Sequence, residues 1–131
     1  MKELTLYVDG AAKGNPGRAG IGIAIYNQKG ASIKRVGKYI GIATNNVAEY
    51  LALIYGLQEA LILKAHKVSL YSDSELIVKQ MNGLYRIKDN LLFQFFLLAQ
   101  HLKRNFKKIE ILQISHSENK EADRLASAAL K

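Results

Sequence analysis

The sequence contains no cysteine and no tryptophan, and it has one proline among 131 residues. Without cysteine the chain can form no disulfide bond, no Cys-type zinc site and no thiolate nucleophile. It also lacks an apolar run of the roughly 20 residues that a membrane-spanning helix needs. Polar residues interrupt the start of the chain, which is unlike the apolar region of a signal peptide. We therefore expect a cytoplasmic protein with no membrane partner.

Acidic residues are scarce relative to basic ones. Nineteen lysines and arginines stand against eleven aspartates and glutamates, which gives a formal net charge of +8. A basic surface attracts polyanions, and nucleic acid is the commonest of these inside a cell. On charge alone, a nucleic-acid-binding protein and a merely soluble basic protein are equally well supported. The length fits one domain, so we expect a single catalytic domain over residues 1–131.

The hydrophobic periodicity predicts the element order βββαβααβα. The predicted strands are Lys2–Asp9, Ala19–Asn27, Ala31–Ile42, Lys67–Ser72 and Ile109–Ser115. The predicted helices are Val47–Leu63, Ser74–Met81, Asn90–Phe106 and Asn119–Leu130. Between the first two strands, the glycines and the proline of Gly10–Gly17 predict a tight reversal. A three-strand meander followed by alternating helix and strand predicts an α/β fold, in which helices cover a mixed sheet.

Four acidic residues fall where the local pattern predicts burial, which is costly for a charged group. Asp9 ends the first strand, and Asp73 follows the fourth strand at the end where such sheets bind ligands. Glu49 shares a helix face with small apolar residues, which suits packing against the sheet. Asp123 lies in the first turns of the last helix, on a side with Ala126.

Each carboxylate also has a structural explanation. Asp9 could start a turn, and Asp73 could cap the helix that follows it. Glu49 could complete a capping box with Asn46, and Asp123 could interact with the positive end of its helix. If the four converge instead, their repulsion requires cations such as Mg²⁺, which takes oxygen ligands. Two such ions about 3.5–4 Å apart clamp the reacting oxygens of a phosphodiester, so a metallonuclease is the functional interpretation.

Four segments resemble the motifs of type 1 ribonuclease H, in order and along nearly the whole chain. They are Tyr7–Gly10 with Gly14–Gly17 and Gly20–Gly22, then Thr44–Tyr50, Tyr71–Ser74 and Asn119–Ala126. The resemblance implies a five-stranded mixed sheet. It also implies an endonuclease that cuts the RNA strand of RNA–DNA hybrids, leaving 5′-phosphate and 3′-hydroxyl ends. Double-stranded RNA is a further candidate substrate, and we expect a monomer.

The resemblance also implies roles for individual residues. It makes the four acidic residues ligands of two Mg²⁺ ions, with Mn²⁺ as an alternative: Asp9, Glu49, Asp73 and Asp123. It places five residues against the hybrid, where the amides could recognise RNA 2′-hydroxyls: Gly10, Asn15, Thr44, Asn45 and Asn46. The alternative is helix capping for Asn45 and Asn46, and turn geometry for Asn15.

Two departures from the family pattern concern proton transfer and substrate binding. The segment before the last helix is short and lacks glycine, so His116 is the candidate for proton transfer. A surface residue that contacts phosphate is the alternative for His116, whereas His66 and His101 are expected at the surface without a ligand role. The extra basic helix of some members has little room here. We therefore expect the hybrid to contact three basic clusters: Lys13 with Arg18, Lys34 and Arg35 with Lys38, and Lys103 and Arg104 with Lys107 and Lys108.

Other functions stay open beside the ribonuclease. A non-catalytic nucleic-acid-binding module of the same fold would usually have lost a metal ligand. A nuclease or transposase that acts on DNA would lack the asparagine pair before Glu49 and the loop at Asn15. An interaction domain with purely structural carboxylates would require all four motif matches to be accidental. The sequence keeps all four acidic residues, the asparagine pair before Glu49 and the loop at Asn15. It therefore predicts the hydrolase.

Overall fold

The computed structural model describes residues 1–131 and contains a five-stranded sheet with the order β3-β2-β1-β4-β5. The strands are β1 (Glu3–Gly14), β2 (Gly17–Asn27), β3 (Ser32–Ala43), β4 (Lys67–Ser72) and β5 (Lys108–Gln113). The first three strands form an antiparallel meander, whereas β4 pairs parallel with β1 and β5 pairs parallel with β4. The predicted mixed sheet is therefore confirmed.

Helices cover both faces of this sheet. They are α1 (Asn45–Ile62), α2 (Glu75–Met81), α3 (Asn90–Lys103) and α4 (Lys120–Ala128), and a 3₁₀ turn at His116–Glu118 precedes α4. Gly56 of α1 faces Val8, while Gly22, which pairs with Asp9, faces α4. Successive strand residues point to opposite faces, so α1 and α4 lie on opposite sides of the sheet. The predicted element order is confirmed, apart from the 3₁₀ turn. None of the helices is both long and apolar enough to cross a membrane.

The main core lies between α1 and the sheet. Leu6, Ile23 and Leu70 from the strands meet Leu53 and Leu57 from the helix, and all five side chains are buried. Each such side chain contributes roughly 1.5–3 kcal/mol of hydrophobic stabilisation. The small residues of α1 allow a close approach, since a Cβ at Gly56 would lie 2.9 Å from a methyl group of Val8. This packing fixes the helix that carries Glu49.

The predicted reversal over Gly10–Gly17 is too long. β1 continues to Gly14, where it pairs with Gly17, so the turn itself comprises Asn15 and Pro16. The glycine at position 10 serves close packing instead of a turn, because a Cβ there would overlap the backbone carbonyl of Ala48. Glycine occurs both in turns and where two backbones approach closely, so its position in the sequence alone does not distinguish the two.

The start of α1 also differs from its predicted capping box. Thr44 is the N-cap, and its side chain accepts a hydrogen bond from the N–H of Val47 at 3.2 Å. Neither Asn45 nor Asn46 caps the helix, because both lie within its first turn. The capping interpretation of the asparagine pair is therefore wrong, and both side chains are exposed.

Candidate active site

The parallel pairing of β1 and β4 brings two of the acidic residues together. Val8 pairs with Ser72, so Asp9, the next residue of β1, lies beside Asp73, which directly follows β4. Ser74 caps α2 by accepting from the N–H of Ile77, which rules out the capping role considered for Asp73. Asp73 instead follows the end of its strand, with its carboxylate directed into the cluster formed with Asp9.

Glu49 joins these two carboxylates from α1. Its Oε1 accepts a hydrogen bond from the backbone N–H of Gly10 at 2.6 Å. Ligand oxygens of Asp9, Glu49 and Asp73 all lie within 4.8 Å of one another. The structure thus brings three of the four predicted metal ligands into a single cluster, which we call the carboxylate cluster.

The electrostatics of the carboxylate cluster are unfavourable without a cation. Burial, together with the charges of Glu49 and Asp73, raises the pKa of Asp9 to about 10. Burial also raises the pKa of Glu49 to about 7, although the Gly10 N–H opposes this rise by stabilising the charged form. No lysine or arginine forms an ion pair with these three carboxylates. Clustered oxygen ligands of this kind suit a hard divalent ion, so the residues fit a metal site.

Asp123 lies beside the carboxylate cluster and not within it. It is half-buried on α4, and its proximity adds to the rise in the pKa of Asp9 that burial and the charges of Glu49 and Asp73 cause. The fourth acidic residue therefore approaches from the opposite face of the sheet to Glu49. Its distance from Asp9 depends on how α4 is docked.

His116 contacts the carboxylate cluster at its exposed side. Its Nδ1 lies 2.9 Å from Oδ2 of Asp73, while its side chain remains exposed. The hydrogen bond with Asp73 raises the pKa of His116, because it stabilises the protonated ring. His66 and His101 are exposed and lie outside the metal-ligand cluster.

The predicted substrate-binding residues lie together at the start of α1. Oδ1 of Asn15 accepts a hydrogen bond from the backbone N–H of Asn45 at 3.0 Å, which ties the β1–β2 turn to the helix. Thr44 is committed to capping the helix, and Gly10 to the contact with Glu49. The exposed side chains of Asn45 and Asn46 make no hydrogen bond within the chain and are free to contact a ligand.

The predicted basic clusters on the meander differ in how many of their side chains form ion pairs with acidic residues. Lys34 pairs with Glu59, and Arg35 lies 3.9 Å from Glu121, so both are partly neutralised. Arg18 and Lys38 instead lie over tyrosine rings, at 5.1 Å from the Tyr39 centroid and 6.0 Å from the Tyr55 centroid. Lys13, Arg18 and Lys38 are therefore the members of the two meander clusters that form no ion pair.

Asn119 was not among the predicted site residues. It is fully buried, and its Nδ2 donates to the backbone carbonyl of Val8 at 2.9 Å. A signal was present in the sequence, since Asn119 precedes Asp123 by one helical turn and shares its face. A polar residue on a packing face of a helix should have a partner.

Comparisons with known proteins agree with this geometry. The family model described as reverse transcriptase-like matches residues 7–129. The chain is 37% identical over 129 residues to the bifunctional protein Rv2228c of Mycobacterium tuberculosis, covering 98% of this chain and 35% of that protein. It is 37% identical over 124 residues to ribonuclease HI of Halobacterium salinarum, covering 95% of this chain and 62% of that protein. The chain thus spans about one third to three fifths of the length of these curated relatives.

Solved structures of ribonuclease H also resemble this chain. The crystal structure of RNase H1 from Halobacterium salinarum matches with a TM-score of 0.96 and 36% identity, covering 98% of this chain and 97% of that one. LC11-RNase H1, solved in complex with an RNA/DNA hybrid, matches with a TM-score of 0.92 and 38% identity, covering 97% and 96%. Homologues and structural neighbours of the chain thus include ribonuclease H enzymes. The chain belongs to the ribonuclease H family.

Proposed function

We propose that this chain is a metal-dependent endonuclease that hydrolyses the RNA strand of RNA–DNA hybrids. The observation that carries the proposal is the carboxylate cluster, in which Asp9 is only 5% exposed and yet lies beside two further acidic groups. Such an arrangement is costly for a structural site but is what cation binding requires. The relative solved with an RNA/DNA hybrid supports the choice of substrate.

The proposed metal ligands are Asp9, Glu49, Asp73 and Asp123. Two Mg²⁺ ions are proposed, with Mn²⁺ as a substitute, because both prefer oxygen ligands. When bound, such ions lower the pKa of a water molecule and stabilise the charge that develops on the phosphate. Since the N–H of Gly10 occupies Oε1 of Glu49, it orients that carboxylate and favours its charged form.

Hydrolysis then requires no nucleophilic side chain. A water molecule gives up a proton as its oxygen forms a bond to phosphorus, and the bond from phosphorus to the 3′-oxygen breaks. This leaves a 5′-phosphate and a 3′-hydroxyl once the leaving oxygen takes up a proton. His116 is the proposed group for moving a proton at this site, because its ring contacts Asp73 and also reaches solvent.

Recognition of RNA is assigned to the start of α1. The carboxamides of Asn45 and Asn46 are exposed, and an amide can both donate to and accept from a 2′-hydroxyl. Asn15 supports them by fixing the backbone of Asn45. Arg18 and Lys38, with Lys13 and the basic residues near the end of α3, are proposed to contact phosphates.

The test is cleavage of one end-labelled RNA strand, annealed to DNA, annealed to RNA, or left single. Each substrate is incubated with Mg²⁺, with Mn²⁺, with EDTA, and with an Asp9→Asn variant. Metal-dependent cutting of the hybrid, abolished in the variant, is the expected result. An intact hybrid under both metals, with binding still detectable, would instead support a non-catalytic binding module. The RNA strand annealed to RNA tests whether double-stranded RNA is also a substrate. We also propose that the enzyme is monomeric and cytoplasmic.

A further inference from the structure

Asn119 connects the backbone next to one predicted metal ligand with the helix that carries another. Its Nδ2 donates to the carbonyl of Val8, the residue before Asp9, across 111 positions of sequence. Its own backbone carbonyl accepts a hydrogen bond from the N–H of Asp123 at 3.1 Å. A single buried residue therefore relates the position of Asp123 to that of Asp9.

The first turn of α4 also contacts β2 and β3, because Ala122 packs against Gly22 and Glu121 lies 3.9 Å from Arg35. An open cavity of about 400 Å³ lies between this turn and the sheet, bordered by Thr5, Tyr7 and Tyr26. The buried residues of α4 are Ala122 and Ala126, whose backbones lie close to Gly22 of β2. Close backbone packing thus holds α4 against β2, and the Asn119 hydrogen bond is the side-chain contact that ties the start of the helix to β1.

The Asn119 side chain uses only one of its two polar atoms in this hydrogen bond. Asn119 is fully buried, yet its Oδ1 has no hydrogen-bond partner. A buried polar atom without a partner costs about 1–3 kcal/mol, and such atoms are rare in ordinary cores. Unpartnered buried polar atoms are expected at functional sites, where correct placement of a functional group can cost some stability.

We propose that Asn119 is a positioning residue that holds Asp123 beside Asp9 for metal binding. The inference rests on the proposed function, in which both carboxylates are metal ligands. Three of the ligands are placed by β1, β4 and α1, whereas Asp123 alone depends on α4. Without the bond to Val8, the start of α4 loses its side-chain hydrogen bond to β1, and Asp123 is held beside Asp9 only through the packing of the helix on β2.

The test compares Asn119→Leu with a matched control, Gln100→Leu. Gln100 makes the same kind of contact far from the site, since its Nε2 donates to the carbonyl of Met81 at 3.0 Å. Mg²⁺ affinity is measured without substrate, by titration of backbone amide NMR signals, beside urea unfolding. We expect Asn119→Leu to raise the Mg²⁺ dissociation constant about tenfold, as loss of residues that orient metal ligands does. Gln100→Leu should lose stability while its Mg²⁺ affinity stays within about twofold of the parent.

Asn119→Ser provides a second variant in case the leucine prevents folding, because its shorter side chain removes the contact without adding bulk. In cleavage assays the Asn119 variants should show a lower kcat that recovers at high Mg²⁺, with an unchanged KM for the hybrid. A folded Asn119 variant with parental Mg²⁺ affinity would overturn the positioning role. A parent that binds Mg²⁺ but leaves hybrids intact would refute the proposed function alone. A parent that binds neither Mg²⁺ nor Mn²⁺ would overturn both.

Discussion

The backbone N–H of Gly10 donates to the carboxylate of Glu49 at 2.6 Å and so joins α1 to the strand residue after Asp9. This contact depends on the absence of a side chain at position 10, where a Cβ would overlap the backbone carbonyl of Ala48. Close approach of the two backbones therefore sets the distance between two proposed metal ligands.

Gly10→Ala should separate α1 from β1 and move Glu49 away from Asp9. We expect a loss of about 1–3 kcal/mol in the free energy of unfolding, because backbone atoms cannot move aside as a flexible side chain can. Mg²⁺ affinity should fall as well. Urea unfolding and a metal titration check both effects.

Gly30→Ala is the control for this change. A Cβ at Gly30 meets no atom within 4 Å, and its φ of 80° makes alanine strained there. It should lose about 1 kcal/mol of stability through that strain while binding Mg²⁺ like the parent. Equal metal affinity in the two variants would contradict the role assigned to Gly10.

Asp9→Asn should stabilise the metal-free protein. The variant removes one of three close carboxylates at a buried position, and we expect a gain of about 1–3 kcal/mol in EDTA. Mg²⁺ should stabilise the parent against urea but have little effect on the variant. Asp89→Asn makes the same substitution at the exposed N-cap of α3, where asparagine caps equally well, and should leave stability nearly unchanged.

The same burial predicts how the stability of the metal-free parent depends on pH. The pKa of Asp9 is about 10 in the folded protein and about 4 in the unfolded chain, so the folded state binds more protons between these values. Unfolding then releases protons, and stability should fall as the pH rises through this window. Asp9→Asn should flatten the slope, and a parent whose stability rises from pH 5 to 8 in EDTA would contradict the prediction.

The sequence predicted the sheet and its helices well, because alternation in the strands and the 3.6-residue period in α1 record which face is buried. It identified the small face of α1, which the structure places against Val8. Convergence of Asp9 with Asp73 follows from the parallel pairing of β1 and β4, and periodicity alone does not establish a pairing. The resemblance supplied that step.

Other features depend on tertiary contacts that a local pattern does not record. Thr44 caps α1 in place of Asn46, although both residue types are good caps. The long β1 was missed because glycine and alanine are weak strand formers, yet they pair with β2 as far as Gly14. The burial of Asn119 depends on Val8, which is 111 positions away.

Asn46→Ala and Thr44→Ala should separate substrate binding from helix capping. The Asn46 side chain is exposed and makes no internal hydrogen bond, so its loss should leave stability within about 0.5 kcal/mol of the parent. Its KM for the RNA–DNA hybrid should rise severalfold. Thr44→Ala removes the bond to the N–H of Val47 and should cost about 1 kcal/mol of stability. An Asn46 variant with lower stability and a parental KM would assign that residue to folding.

Tyr50 and Gln80 form a buried hydrogen bond between α1 and α2. Removing one partner should destabilise the protein more than removing both. The Tyr50 hydroxyl donates to Oε1 of Gln80 at 2.6 Å, and neither side chain is appreciably exposed. Tyr50→Phe leaves that oxygen without a partner and should cost about 1–3 kcal/mol. Adding Gln80→Leu removes the second polar group and should restore most of the loss, because no buried atom of this pair is then unsatisfied. Urea unfolding of the two single variants and the double variant measures the coupling directly, and additive losses would show that packing, not hydrogen bonding, determines their effect.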